Sequence, residues 1–85
     1  MTTTTNEIIL TRIIDYIRRY RLAHHAISPS LREIQRGVGI SSTSEAARLV
    51  GVLIHAGQLG RIDEIGVARF LYLVDGSDIP VREAE

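Results

Sequence analysis

The chain has 85 residues, with ten basic and ten acidic side chains that cancel to a formal net charge of zero, and 45% of its residues are hydrophobic. That length predicts one domain near the lower limit for folding without staples, burying roughly 60–65% of the unfolded chain's surface. The absence of cysteine excludes disulfides and thiolate metal sites, so an apolar core must carry the stability.

The opening residues, MTTTTNE, hold no basic segment, and the apolar run after them is broken by Arg12 and Asp15. That run falls far short of the ~20 residues a membrane span needs. We therefore expect a soluble, cytoplasmic protein that makes no membrane contact, with residues 1–5 as a flexible N-terminus. A balanced charge offers no general argument for nucleic acid. All ten basic residues are Arg, which fits either GC-rich coding or forked phosphate contacts.

Residues 7–22 carry apolar side chains at 9, 10, 13, 16, 17 and 20, the spacing of a helix with one buried stripe. Its far side holds Thr11, Asp15, Arg18 and Arg19, where Asp15 and Arg19 can pair at i,i+4. Thr4 to Glu7 forms a Thr-x-x-Glu start signal. Residues 23–29, AHHAISP, read as a loop, and Pro29 leaves Ser30 as the natural N-cap of a second helix.

Ser30-Leu31-Arg32-Glu33 and Ser42-Thr43-Ser44-Glu45 then repeat one pattern with Gly37 and Gly39 between them. In a capping box the serine hydroxyl accepts from the amide three residues on, and the glutamate reaches back to the cap's own amide. The first box predicts a short helix from 31 to about 36 that buries Leu31 and Ile34, ended by a positive-φ turn at Gly37 and Gly39. The second predicts a helix over 43–56, closed by Gly57. A short helix, a glycine turn and a second capped helix are the layout of a helix-turn-helix.

Gln58 to Ile62 is a short strand candidate. Asp63-Glu64-Ile65-Gly66 is a turn, and Val67 to Val74 is a second strand with large apolar groups on both faces. Residues 75–85, DGSDIPVREAE, read as a flexible C-terminal tail, leaving 6–74 as the domain. The fold class is α+β: three helices followed by a two-stranded hairpin.

Residues 13–74 resemble the N-terminal DNA-binding domain of LexA-type repressors, a winged helix-turn-helix. The matching stretches are Ser28-Pro29-Ser30-Leu31-Arg32-Glu33-Ile34, Gly39-Ile40-Ser41-Ser42, and then Leu53 and Gly57. This resemblance implies that the first turns of the third helix read the major groove, through Ser42, Ser44, Glu45, Ala47 and Arg48. The chain departs from the family pattern in three respects. It has Gly51, Val52, Ile54 and Ala56 where basic side chains are usual, and Asp63 and Glu64 at the wing tip. Nothing in it corresponds to the Ser/Lys self-cleaving domain.

The residues themselves allow either this reading or a plain solvated face. Projection of the third helix puts Ala46, Val50 and Leu53 on a core face, edged by Leu49 and Ile54. Ser44, Arg48, Gly51 and His55 lie opposite. A glycine in an exposed helix costs roughly 1 kcal/mol against alanine. It is understandable at position 51 if a groove wall or partner helix approaches the backbone, and drift is the other explanation. Arg48 can pair with guanine, Glu45 can accept from cytosine, and Ser42 and Ser44 can contact a base or a phosphate. Glu45 has a competing duty, because the capping box would hold it at Ser42. The amides from Thr43 to Glu45 suit a phosphate oxygen. Arg32 and Arg36 on the second helix, and Arg61 and Arg69 on the hairpin, are candidates for backbone contacts, or each is a solvated arginine without a specific role.

His24-His25 with His55 is a weak metal signal beside the usual zinc spacings. The chain shows no nucleophile with a base at motif spacing and no glycine-rich phosphate loop, so we expect neither an enzyme nor a cofactor. The reading is a small transcriptional regulator, a repressor by resemblance, that binds double-stranded DNA. With zero net charge it would need to act as a dimer on two half-sites. The alternative is a winged helix used as an interaction or assembly module. It rests on the neutral charge, the acidic wing tip, and the apolar surplus at Ile8, Leu22, Val52 and one face of the last strand.

Overall fold

The computed structural model describes residues 5–62 and 70–78. It contains α1 (Thr5–Ala23), α2 (Leu31–Val38) and α3 (Thr43–His55), followed by β1 (Leu59–Ile62) and β2 (Phe70–Leu73). The strands pair antiparallel, with Leu59 opposite Leu73, Gly60 opposite Tyr72, Arg61 opposite Leu71 and Ile62 opposite Phe70. The architecture is therefore α+β, three helices and a two-stranded antiparallel sheet. The start signal at Thr4, the expected turn from Asp63 to Gly66 and the first part of the second strand lie outside the described residues.

Each helix contributes its apolar stripe to one core. Ile13 and Ile17 of α1, Ile34 of α2, and Ala46, Leu49, Val50 and Leu53 of α3 are buried together with Ile40, Leu59, Leu71 and Leu73. Ile9, Leu10, Ile14, Tyr16, Leu31, Val38 and Ile54 pack around them. On the outer side of α1, Asp15 pairs with Arg19 at 3.0 Å, as the i,i+4 spacing predicts, and with Arg18 at 3.5 Å. No helix among the described residues is long and apolar enough to cross a membrane.

The capping box at Ser30 is complete. Ser30 Oγ accepts from the Glu33 amide at 3.1 Å, and Glu33 Oε1 accepts from the Ser30 amide at 2.9 Å. At its other end α2 runs two residues further than the glycine pair suggests. Gly37 belongs to the helix, and only Gly39, at φ 86°, takes the left-handed turn, with its amide bonded to Gln35 O. The reason is the crossing with α1. A Cβ added at Gly37 would overlap the Tyr16 ring, so this glycine serves close packing instead of chain reversal.

A second departure concerns Arg21 and the segment after β2. Arg21 continues the Ile13–Ile17 stripe at i+4 and is buried, and so is Asp78. Their side chains meet at 2.5 Å, Nε to Oδ2. Arg21 Nη1 also donates to Leu71 O at 3.1 Å, and Asp78 Oδ2 accepts from the Leu73 amide at 2.7 Å. Ser28 Oγ accepts from the Leu71 amide at 3.1 Å. Three side chains thus satisfy the edge of β2 where a third strand would otherwise pair. Residues 75–78 are consequently anchored and not frayed, while 79–85 lie outside the described residues.

Candidate functional site

The candidate site is built on the start of α3. Ile40 is buried and its amide bonds to Gln35 O at 2.9 Å, which fixes the turn out of α2. The chain then reaches Ser42 in an extended conformation, at φ −156° and ψ 162°, and Ser42 Oγ accepts from the Glu45 amide at 3.1 Å. The helix runs to His55, and Gly57 comes next but one at φ 80°. Because Ala46, Leu49, Val50 and Leu53 are held in the core, the opposite face has one possible orientation. Ser44, Arg48, Gly51 and His55 are all exposed on it, as are Ser42, Thr43 and Ala47.

One part of the expected cap is not formed. The Glu45 carboxylate does not return to Ser42 but turns forward to Arg48. Arg48 Nε donates to Oε1 at 2.9 Å and Arg48 Nη2 donates to Oε2 at 2.6 Å. A charge-assisted, two-pronged pair outcompetes a single neutral amide donor. The Arg48 guanidinium holds the Glu45 carboxyl below the usual carboxylate range, and Glu45 raises the Arg48 pKa in return. Both side chains remain substantially exposed, at 53% for Arg48 and 38% for Glu45. The pair therefore adds little to stability.

Beside this face lies a groove of about 280 Å³, lined by Pro29, Ser30 and Leu31, by Ala47, Val50, Gly51 and Ile54, and by Arg61 and Leu71. It joins the start of α2, one flank of α3 and the sheet. Of the predicted cations, Arg61 is thereby brought to the same groove as Ala47 and Gly51. Arg32 and Arg36 are exposed on α2, one helical turn apart. Arg69, with the acidic pair Asp63 and Glu64, lies outside the described residues.

The second helix is tied to the first near the same end. Tyr20 OH donates to Glu33 Oε2 at 2.9 Å, so one carboxylate both caps α2 and anchors it to α1. The Ser30 amide, and after it the Tyr20 hydroxyl, hold the Glu33 carboxyl below its ordinary range. The same bond raises the Tyr20 phenol. Sequence reasoning missed Tyr20 and Arg21 as polar anchors. The i+4 continuation of the Ile13–Ile17 stripe was the available signal for Arg21, whereas nothing local marks Asp78.

His24 stacks on Tyr20 with ring centroids 4.1 Å apart. Among the described residues no group of three or more His, Cys, Asp or Glu side chains is placed to hold a metal ion. Comparison of the chain with protein-family models, with curated proteins and with solved structures found no match.

Proposed function

We propose that this protein is a winged helix-turn-helix that binds double-stranded DNA in a sequence-specific manner, with α3 entering the major groove, and that it acts as a small transcriptional regulator. One observation carries the reading. The face Ser44–Arg48–Gly51–His55 is exposed along the whole length of a helix whose opposite face is core. It stands on a short capped helix and a glycine turn, the arrangement that presents a reading helix outward. The LexA-like stretches of the sequence support the same assignment. So does the chemistry of the opening turns, where Ser42, Thr43 and Ser44 offer hydroxyls and Arg48 a guanidinium.

With zero net charge and about 3–5 phosphate contacts, one copy binds weakly and with a shallow salt dependence. Specific binding then requires two copies on half-sites about one helical turn apart. Selection from a random duplex pool at low salt tests the proposal. It predicts an enriched, two-fold symmetric sequence that Arg48→Ala binds no better than unrelated duplexes at low salt. Recovery of no preferred sequence would refute it.

A second reading, a protein-docking module, draws on Ile8, Leu22 and Val52, each 40–43% exposed. Exposed apolar groups of this size favour a partner surface when they act together. Both readings allow a dimer, so sedimentation tests the second only in combination with Val52→Glu. A monomer at high concentration whose function is unaffected by Val52→Glu removes the second.

A further inference from the structure

Resting on the DNA-binding reading, the geometry points to Glu45 as a positioning residue that fixes the guanidinium of Arg48 for end-on recognition of a guanine. A guanidinium has two edges that can each make a pair of parallel hydrogen bonds. Glu45 occupies the side edge of Arg48, through Nε at 2.9 Å and Nη2 at 2.6 Å. The end edge, Nη1 with the second hydrogen of Nη2, is left directed away from the carboxylate, and its spacing matches guanine O6 and N7.

The surroundings suit this role. The Glu45 backbone is pinned by its own amide bond to Ser42 Oγ, so the carboxylate has a fixed origin. Ser44 and Gly51, one turn before and one turn after Arg48 on the exposed face, are too short to cover the guanidinium. A side chain already held in one plane loses less rotamer freedom on binding than a free arginine. Glu45 is thereby reassigned from a cytosine acceptor to the group that orients the reader. Its negative charge also opposes indiscriminate phosphate binding by the same arginine.

The two effects of Glu45 have opposite signs, which makes the inference testable. The probe is the duplex enriched from a random pool, synthesised with guanine or with 7-deazaguanine, which lacks the N7 acceptor, at each guanine in turn. The wild-type protein should bind at least one substituted duplex about tenfold more weakly, and Arg48→Ala should not distinguish that pair. Glu45→Ala should bind unrelated duplexes more tightly than wild type at low salt, while losing most of that discrimination. Glu45→Gln, which keeps one acceptor, should fall between them. Adding Glu45→Ala to Arg48→Ala should change discrimination no further. Helix content and melting temperature, measured for each variant, report a fold defect separately from a loss of selectivity. Full discrimination retained in Glu45→Ala would overturn the inference and leave the DNA reading standing. Absence of any enriched duplex would overturn both.

Discussion

The Tyr20 hydroxyl and the Ser30 amide bind opposite oxygens of one carboxylate, that of Glu33, each at 2.9 Å. The start of α2 is therefore set by α1 as well as by its own cap. Because α2 leads through Gly39 into α3, this bond helps fix where the exposed face of α3 points. Its strength depends on Glu33 being ionised. The folded-state pKa of Glu33 lies below the usual range, so the folded chain binds fewer protons than the unfolded chain as the pH falls. The stabilisation is complete above the unfolded value of about 4.3 and is lost as the pH falls through the folded value. Urea unfolding between pH 6 and pH 3, taken as round limits about that value, should show declining stability, with a shallower decline in Tyr20→Phe. Equal slopes in the two proteins would contradict this assignment.

The two serine caps are predicted to differ in strength. Ser42→Ala removes one bond to the backbone and should cost about 1 kcal/mol. Ser30→Ala opens a reciprocal box joined to Tyr20 and should cost more. Equilibrium denaturation of both variants checks the order, and a larger loss at Ser42 would reverse the assigned ranking of the caps.

Arg21 and Asp78 form a buried pair with imperfect hydrogen bonding. They approach to 2.5 Å, yet Arg21 Nε lacks hydrogen-bond alignment and Asp78 Oδ1 has no partner among the described residues. Removing one member leaves the other charge buried, so Asp78→Ala should cost about 3 kcal/mol or more. Replacing both, as Arg21→Met with Asp78→Leu, should recover most of that loss. Denaturant midpoints for the single and double variants measure this directly. A harmless Asp78→Ala would show that the segment after β2 is not anchored as described.

Gly37 and Gly51 both lie within helices but face different surroundings. An added methyl at Gly51 meets nothing within 4 Å, while one at Gly37 meets the Tyr16 ring. Gly51→Ala should therefore stabilise the free protein by about 1 kcal/mol, and Gly37→Ala should destabilise it. If a groove wall approaches the α3 backbone, Gly51→Ala should at the same time weaken DNA binding. A stabilised variant with unchanged binding would place Gly51 outside the interface.

Local signals made much of this molecule legible. Apolar spacing located the three helices, the cap at Ser30 was readable as a four-residue pattern, and projection of α3 separated core from exposed face. What escaped had non-local causes. Gly37 looked like a turn residue because nothing near it in sequence reveals that Tyr16 packs over it. Residues 75–78 looked frayed by composition, although Asp78 is held by Arg21, 57 positions earlier. At Ser42 the local rule was outbid within the same helix, because Glu45 had two possible partners and the charged one prevailed. The exposed face of α3 follows from helical projection, but the orientation of Arg48 follows from its pairing with Glu45, which no spacing rule singles out.

The most direct test of the central claim, that the outward face of α3 reads DNA, is amide chemical-shift mapping of the protein titrated with its enriched duplex. We predict that the largest changes fall on Ser42 to Gly51, with a smaller response at Arg61, and that in Arg48→Ala they are no larger with the enriched duplex than with an unrelated one. Changes centred instead on Ile8, Leu22 and Val52, or no change at α3 with saturating duplex, would contradict it.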